Sequence, residues 1–396
     1  MQPGLTRDSL LERAPAITLK LQAGSTLALI DGKTLPVGVH ALEVLALCTE
    51  PTRVSDLAAR ARVEGARDFI DFMATVSDLV GNGLLRVPGS KAGPIDRRGE
   101  WADPAIHVAM LNDLTRSVAF VEAVRAAVRP GDVVLDIGTG TGVLALAAAK
   151  AGARHVYAIE ASEMAEVATA MVEKNGLSDR VTVLRGFSTR LKLAERASVL
   201  VTETIGNDPL SEYAVELLVD AHKRLLTPDA RVIPAVLRVH AAPVEAPHAL
   251  LDRLSYTPRN IDRWSTALGI DFSALREVAS APFPASIIAD RARDIVELGP
   301  PVELGRLDYS KPAPVGERSA RLEITRAGRL AGVLLTFDVD VGAGRTLSTR
   351  PTEAALDSHW LPTLYIDPSS RDVGPGDAVD VAFRQDGSSA LLEIAR

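Results

Sequence analysis

Cysteine is almost missing from this chain. Cys48 is the single one in 396 residues, so no internal disulfide can form. It lies in the apolar stretch Ala41-Leu-Glu-Val-Leu-Ala-Leu-Cys48 and reads as a small buried hydrophobe rather than a nucleophile. An excess of positive charge is missing as well. Lys and Arg number 44 against 51 Asp and Glu, a formal net charge of −7. That balance speaks against a general nucleic-acid binder, which needs a basic face to displace counterions. No apolar segment reaches the roughly 20 residues that span a bilayer, and the opening MQPGLTRDSLLERAP has no apolar signal-peptide core. Neither a nucleic-acid nor a membrane partner is expected, and the compartment expected is the cytoplasm. Internal repeats and low-complexity tracts are absent, and no metal site is expected.

What is present is an ordinary globular composition in a chain longer than the roughly 250–300 residues at which single cores stop growing. Three segments separate by pattern. Residues 1–90 open with the strand-like runs Ile17–Leu21 and Thr26–Ile30, followed by the hairpin signal Asp31-Gly32. Helical periods follow over Val39–Leu47, from Ser55 (an N-cap candidate) to Arg62, and over Phe69–Val80. Gly81-Asn-Gly83 stops the last one before the short strand Leu84–Val87. Residues 89–100, rich in Gly and charge, read as a linker. The second segment, 91–235, alternates strand and helix from 101 on, with strands at Val133–Ile137, His155–Glu160, Val181–Leu184 and Val199–Thr202, which implies a parallel, doubly wound α/β sheet. Residues 236–396 carry short β-type runs separated by Pro and Gly, the pattern of an antiparallel, barrel-like domain.

The chemistry begins at Asp136-Ile-Gly138-Thr-Gly140-Thr-Gly142, a turn from strand to helix. Its glycines let backbone amides approach a ligand at a positive helix end. A dinucleotide fingerprint would need a glycine three places after Gly140, where Val143 stands. Asp136 would also repel a pyrophosphate, whereas it can accept a bond from the ammonium of a methionine moiety. Glu160 ends the next strand, where an acid can take both ribose hydroxyls. S-adenosylmethionine therefore fits better than a dinucleotide. Upstream, helical spacing puts His107, Met110 and Asp113 close to one face, with Arg116 one turn on, where a cation could hold the cofactor's carboxylate. Downstream, Glu203 and Glu212 bracket a short polar loop. Two like charges in one pocket favour a cationic occupant, while the plainer reading makes them solvated loop acids.

In these motifs the chain resembles the protein arginine methyltransferase family. His107-x-x-Met110-Leu111-x-Asp113-x-x-Arg116 matches the family's pre-cofactor helix, Asp136 to Gly142 its first motif and Glu160 its ribose-binding acid. Glu203 to Glu212, with Gly206 in place, matches its double-glutamate loop, and Ser358-His359-Trp360 its Thr-His-Trp signature. The resemblance runs from about 101 to 396 and implies a Rossmann-like class I methyltransferase domain followed by a β-barrel-like domain. It further implies that Arg116 binds the cofactor carboxylate, with His107, Met110, Asp136, Gly138, Gly140 and Ser188 in the same site. Glu203 and Glu212 would clamp the substrate, Asp113 would pair with His359, and Trp360 and Asn207 would face the substrate. Members typically dimerise through an arm, and 247–275, rich in Arg, Tyr and Trp, falls where such an arm would lie.

This sequence departs from the pattern in three places. Thr204 and Asn207 stand where the loop usually carries Trp and Tyr, and Ser188-Thr189 stands where an acid usually reads the adenine amino group. Of the Tyr-rich helix that covers the cofactor, Trp101 alone is well placed. In arrangement, 1–90 resembles a winged helix of the kind that binds precursor peptides in ribosomal natural-product maturation, a RiPP recognition element. The expected function is thus S-adenosylmethionine-dependent N-methylation of a peptide or protein recruited through 1–90, such as a ribosomal precursor peptide, by a homodimer. A small-molecule N- or O-methyltransferase of a biosynthetic pathway is the alternative.

Overall fold

The computed structural model describes residues 7–14, 17–22, 25–30, 33–37, 41–63, 65–81, 84–88, 104–207, 209–210, 214–278, 283–367, 369–385 and 390–395. The expected Asp31-Gly32 turn, the 89–100 linker, Trp101 and Glu212 lie outside them. Two compact units divide the chain. One is drawn from Met1–Val108, Val128–Glu203 and Glu216–Arg231, the other from Ala109–Ala127, Thr204–Val215 and Val232–Arg396.

The first unit opens with β1 (Leu10–Arg13), β2 (Thr18–Gln22), β3 (Ser25–Ile30), β4 (Lys33–Val37), α1 (Ala41–Leu47), β5 (Thr52–Arg53), α2 (Val54–Arg60), α3 (Gly65–Gly81) and β6 (Leu85–Arg86). β2, β3 and β4 form an antiparallel meander, with Ile30 opposite Lys33. β1 lies between β5 and β6 in a second antiparallel sheet. Leu11, Val44, Leu57, Phe72 and Val76, all buried, fill the space between that sheet and its helices. Ser55 is not the helix cap that its position suggests. The N-cap is Arg53, whose side chain makes no capping bond. The helix leaves β5 without a turn, and the backbone carbonyls of Ser9 and Arg7 accept from Val54 and Ser55 N–H, so backbone groups meet two of the donors that a helix start leaves open.

Two helices, α4 (Pro104–Asn112) and α5 (Leu114–Ala127), lead to the α/β core. Its elements are β7 (Val133–Ile137), α6 (Val143–Lys150), β8 (His155–Glu160), α7 (Met164–Lys174), β9 (Val181–Arg185), β10 (Ala197–Thr202), α8 (Ala214–Arg224) and β11 (Leu226–Ile233). The strand order is β11-β10-β7-β8-β9, with β10, β7, β8 and β9 parallel. All five residues of β7 are buried, as a central parallel strand covered on both faces requires. The order reverses at β7, so the switch point where such sheets bind ligands lies at the carboxyl ends of β7, β8 and β10.

The second unit holds β12 (Val236–Glu245), α9 (His248–Leu254), α10 (Pro258–Leu268), α11 (Leu275–Val278), β13 (Phe283–Ser286), α12 (Ala289–Ala292), β14 (Val296–Glu297), β15 (Val302–Asp308) and β16 (Glu317–Glu323). It continues with β17 (Gly328–Arg329), β18 (Gly332–Gly342), β19 (Arg345–Ser348), β20 (Thr363–Ile366), β21 (Asp372–Val373), β22 (Ala378–Gln385) and β23 (Ala390–Ile394). Its strand pairings are antiparallel: a main sheet β13-β20-β18-β12-β14, with β15 on β12 and β19 on β18, and a smaller one, β16-β22-β23. Together with the parallel sheet of the first unit, this gives a Rossmann-like α/β core and an antiparallel, barrel-like C-terminal region.

Candidate active site

Three carboxylates gather at the carboxyl ends of adjacent strands in the first unit: Asp136 in β7, Glu160 closing β8 and Glu203 just past β10. All three are buried. Asp136 carries the imprint of this arrangement. Burial pushes its carboxyl up to about 7, although hydrogen bonds from the Thr139 hydroxyl and the Ala145 amide act the other way. The negative charges of Glu160 and Glu203 raise it further. Oδ2 accepts from Thr139 Oγ1 at 2.6 Å, whereas Oδ1 is buried with no hydrogen-bond partner. An orphaned acid oxygen among like charges is an unmet demand for a cation.

The glycine turn supplies the space beside it. Gly138, Gly140 and Gly142 all have positive φ, at +75°, +53° and +85°. At Gly140 a Cβ would stand 3.2 Å from the His107 ring, so a side chain there would crowd the imidazole as well as strain the backbone. Glu160 is oriented by two amides, Gly140 N–H to Oε2 at 2.9 Å and Ser162 N–H to Oε1 at 2.8 Å. Those bonds leave lone pairs on both oxygens for a pair of hydroxyls. Ser188 and Thr189 are buried in a single 3-10 turn after β9. His107, Asp136, Gly138, Gly140 and Glu160 are thus brought together in one unit, with Ser188 on the neighbouring segment.

The second unit gathers Met110, Asp113, Arg116, His359 and Trp360. The helical spacing of the sequence assumed one continuous helix, but the chain breaks at Asp113 between α4 and α5. Asp113 Oδ1 accepts from Arg116 N–H at 2.9 Å, the N-cap role that Asp favours. Its Oδ2 meets His359 twice, accepting from the backbone N–H at 3.1 Å and lying 3.0 Å from Nδ1. Burial alone pushes the Asp113 carboxyl up. The His359 side chain and the amides of Arg116 and His359 outweigh that, so it titrates below the usual carboxylate value. Arg116 is buried, with Nη2 donating to Met110 O at 3.0 Å and its guanidinium carbon 6.0 Å from the Trp360 ring centre.

Trp360 is buried edge-on to Phe337, and Nε1 donates to Ile205 O at 2.9 Å. Asn207 Oδ1 accepts from Leu361 N–H at 2.9 Å. The stretch after Glu203 is therefore fastened by Trp360 and Asn207, residues the sequence reading turned toward substrate. Thr139, which bonds Asp136, is a site residue whose one sequence signal is a hydroxyl between two glycines. Among the described residues no group of three or more His, Cys, Asp or Glu is arranged to hold a metal ion. Among them too, no helix is long and apolar enough to cross a membrane.

Fold and site together define a class, the S-adenosylmethionine-dependent methyltransferases, and the comparisons with known proteins agree. The family model for ribosomal protein L11 methyltransferase (PrmA) matches residues 115–237. An arginine N(omega)-methyltransferase of Streptomyces achromogenes subsp. streptozoticus is 33% identical over 265 residues, 65% of this chain and 70% of the relative. A probable protein arginine N-methyltransferase 6 of Arabidopsis thaliana is 35% identical over 181 residues, but that match spans 45% of this chain and 40% of the relative. In structure, the Trypanosoma brucei PRMT1 enzyme-prozyme heterotetrameric complex with AdoHcy superposes with a TM-score of 0.62 at 23% identity, over 72% of this chain and 89% of that one. The chain belongs to the arginine N-methyltransferase family, and its cofactor is S-adenosyl-L-methionine.

Proposed function

We propose that this enzyme N-methylates a cationic nitrogen, the guanidinium of an arginine in a peptide or protein. The observation that carries the reading is the buried cluster Asp136, Glu160 and Glu203, in which burial first and the neighbouring negative charges second push the Asp136 carboxyl up to about 7. S-adenosylmethionine supplies the methyl group as a sulfonium electrophile when bound. Asp136 Oδ1 would accept from the cofactor's ammonium, Glu160 would take the ribose hydroxyls and Arg116 would hold the carboxylate. Glu203, with Glu212, would fix the plane of the guanidinium and localise its lone pair on the nitrogen that reacts. Displacement at a methyl group is in line, so alignment and exclusion of water supply most of the acceleration. Glu203 or Glu212 would then accept the proton released from the methylated nitrogen. Asp113 and His359 act as positioning residues, because both are already committed to one another.

For partners, we assign residues 1–90 the role of presenting a peptide, a ribosomal precursor peptide included, and 247–275 the role of an arm joining two protomers in the cytoplasm. The test is mass spectrometry of the full-length protein with labelled cofactor and three acceptors: an arginine-containing peptide, the same peptide with lysine, and free arginine. Transfer to the arginine peptide alone supports the proposal. Transfer to free arginine but not to the peptide would replace it with the small-molecule reading, for which Thr204 and Asn207 leave room in the loop.

A further inference from the structure

β9 runs into Gly186–Leu191, and the first amide of that segment, Gly186 N–H, donates to the Glu160 carbonyl at 2.9 Å. The segment thus starts on the residue placed against the ribose. Two arginines tie its Ser188–Arg190 turn to other elements of the same unit. Arg224 of α8, paired with Asp220, donates Nη2 to Ser188 O at 2.9 Å and Nη1 to Leu191 O at 3.0 Å. Arg190 donates Nη2 to Thr75 Oγ1 at 3.0 Å, a bond to a residue 115 positions earlier. Its guanidinium carbon also lies 5.5 Å from the centre of the Phe187 ring. Thr75 is fully buried among the apolar residues of α3, Phe72, Val76 and Leu79. A hydroxyl placed in such a stripe costs desolvation unless it is bonded, and the Arg190 guanidinium reaches it.

We infer that α3 is a positioning element for cofactor binding: Thr75, acting through Arg190, fixes the Ser188–Arg190 turn, whose segment is bonded at Gly186 to the Glu160 carbonyl. The first ninety residues are then a working part of the cofactor half, so deleting them would weaken cofactor binding together with any recruitment of substrate. The inference rests on reading Glu160 and Ser188 as cofactor contacts.

Titration calorimetry with S-adenosylhomocysteine on the full-length chain tests it, with melting temperatures recorded alongside. Thr75→Val and Arg190→Met are each expected to raise the Kd about three- to tenfold, less than the full worth of one hydrogen bond to a charged group because the effect reaches the cofactor through the turn. Thr75→Ser should bind within about twofold of the parent, and the double variant no worse than the weaker single, because the two residues share one bond. Unchanged Kd in both single variants, whatever their melting temperatures, overturns the inference, as does a double variant whose losses add. If Thr75→Val does not fold, Arg190→Met decides alone, because Arg190 is exposed. Glu160→Gln separates the two readings. Parent-like affinity there overturns the cofactor assignment itself, whereas loss there with intact binding in Thr75→Val and Arg190→Met overturns the α3 inference alone.

Discussion

Replacing Asp136 with Asn should make the cofactor-free protein more stable while weakening its grip on the cofactor. The carboxyl is fully buried and its pKa stands at about 7 against an ordinary value of 3.8. A rise of roughly three units corresponds to about 4 kcal/mol, at about 1.4 kcal/mol per unit. The sign follows from linkage. Below the unfolded pKa both states hold the proton and the shift costs nothing. Between about 4 and 7 the unfolded chain ionises while the folded one keeps its proton, so stability falls as pH rises, then levels off above 7. Asparagine keeps the shape of the protonated acid and escapes that loss. Asp136→Asn should therefore melt close to the parent at pH 5 and higher than it at pH 8. The gain at pH 8 is on the order of 2–3 °C if about half of the shift is realised in a chain this long. Circular-dichroism melts without cofactor read the difference. In calorimetry at pH 8, S-adenosylhomocysteine should bind Asp136→Asn at least about tenfold more weakly, since a neutral amide replaces the ion facing its ammonium. An offset in melting temperature that is the same at both pH values, or a variant less stable than the parent at pH 8, would refute the reasoning.

Glu203→Gln should keep the fold and lose about two to three decades of turnover, the equivalent of one member of a buried charged set; a single-turnover rate equal to the parent's would remove the proposed clamp. Asp113→Asn should cost about 2 kcal/mol at pH 7 by weakening its charge-assisted bonds to Arg116 and His359. Because that carboxyl titrates low, its contribution is present above about pH 4 and lost as pH falls further. A deficit in melting temperature that does not shrink as pH falls toward 3 would contradict this. Leu268 and Ile270, 62% and 57% exposed at the end of α10, lie in the proposed arm. The pair Leu268→Arg and Ile270→Asp should turn a dimer into a monomer by light scattering, and a parent that is itself monomeric would dismiss the arm.

The elements that bury their apolar residues on a strict period were readable without coordinates. β7, β8 and β10 are nearly continuous apolar runs, and the glycine turn after β7 named its own position. What escaped was decided by partners far away in the chain. Asp113 interrupts a helical pattern because its carboxylate caps α5 through Arg116 N–H; its pairing with His359, 246 residues on, comes from the family resemblance and from no window around residue 113. Ser55 looked like a cap, but the carbonyls of Arg7 and Ser9 had already taken that office. The helix α10 was legible in principle. Thr257 accepts from Asn260 N–H, Pro258 follows, and Gly269 closes it at positive φ. Trp360 and Asn207 were found by motif, while their hydrogen bonds to the loop depend on backbone groups that residue identity does not encode.

Asp113 also sets a timetable for biosynthesis. The first unit has all of its sequence once Arg231 is made, whereas the second draws on 109–127 and 204–215 and then on everything from Val232 onward. During synthesis Asp113 Oδ1 can cap α5 at once through Arg116 N–H, but Oδ2 meets its imidazole only after His359 leaves the ribosome. A chain that stops before that residue has lost far more than a tail: the cap of a helix more than two hundred residues upstream is left with an acid that has no imidazole to meet.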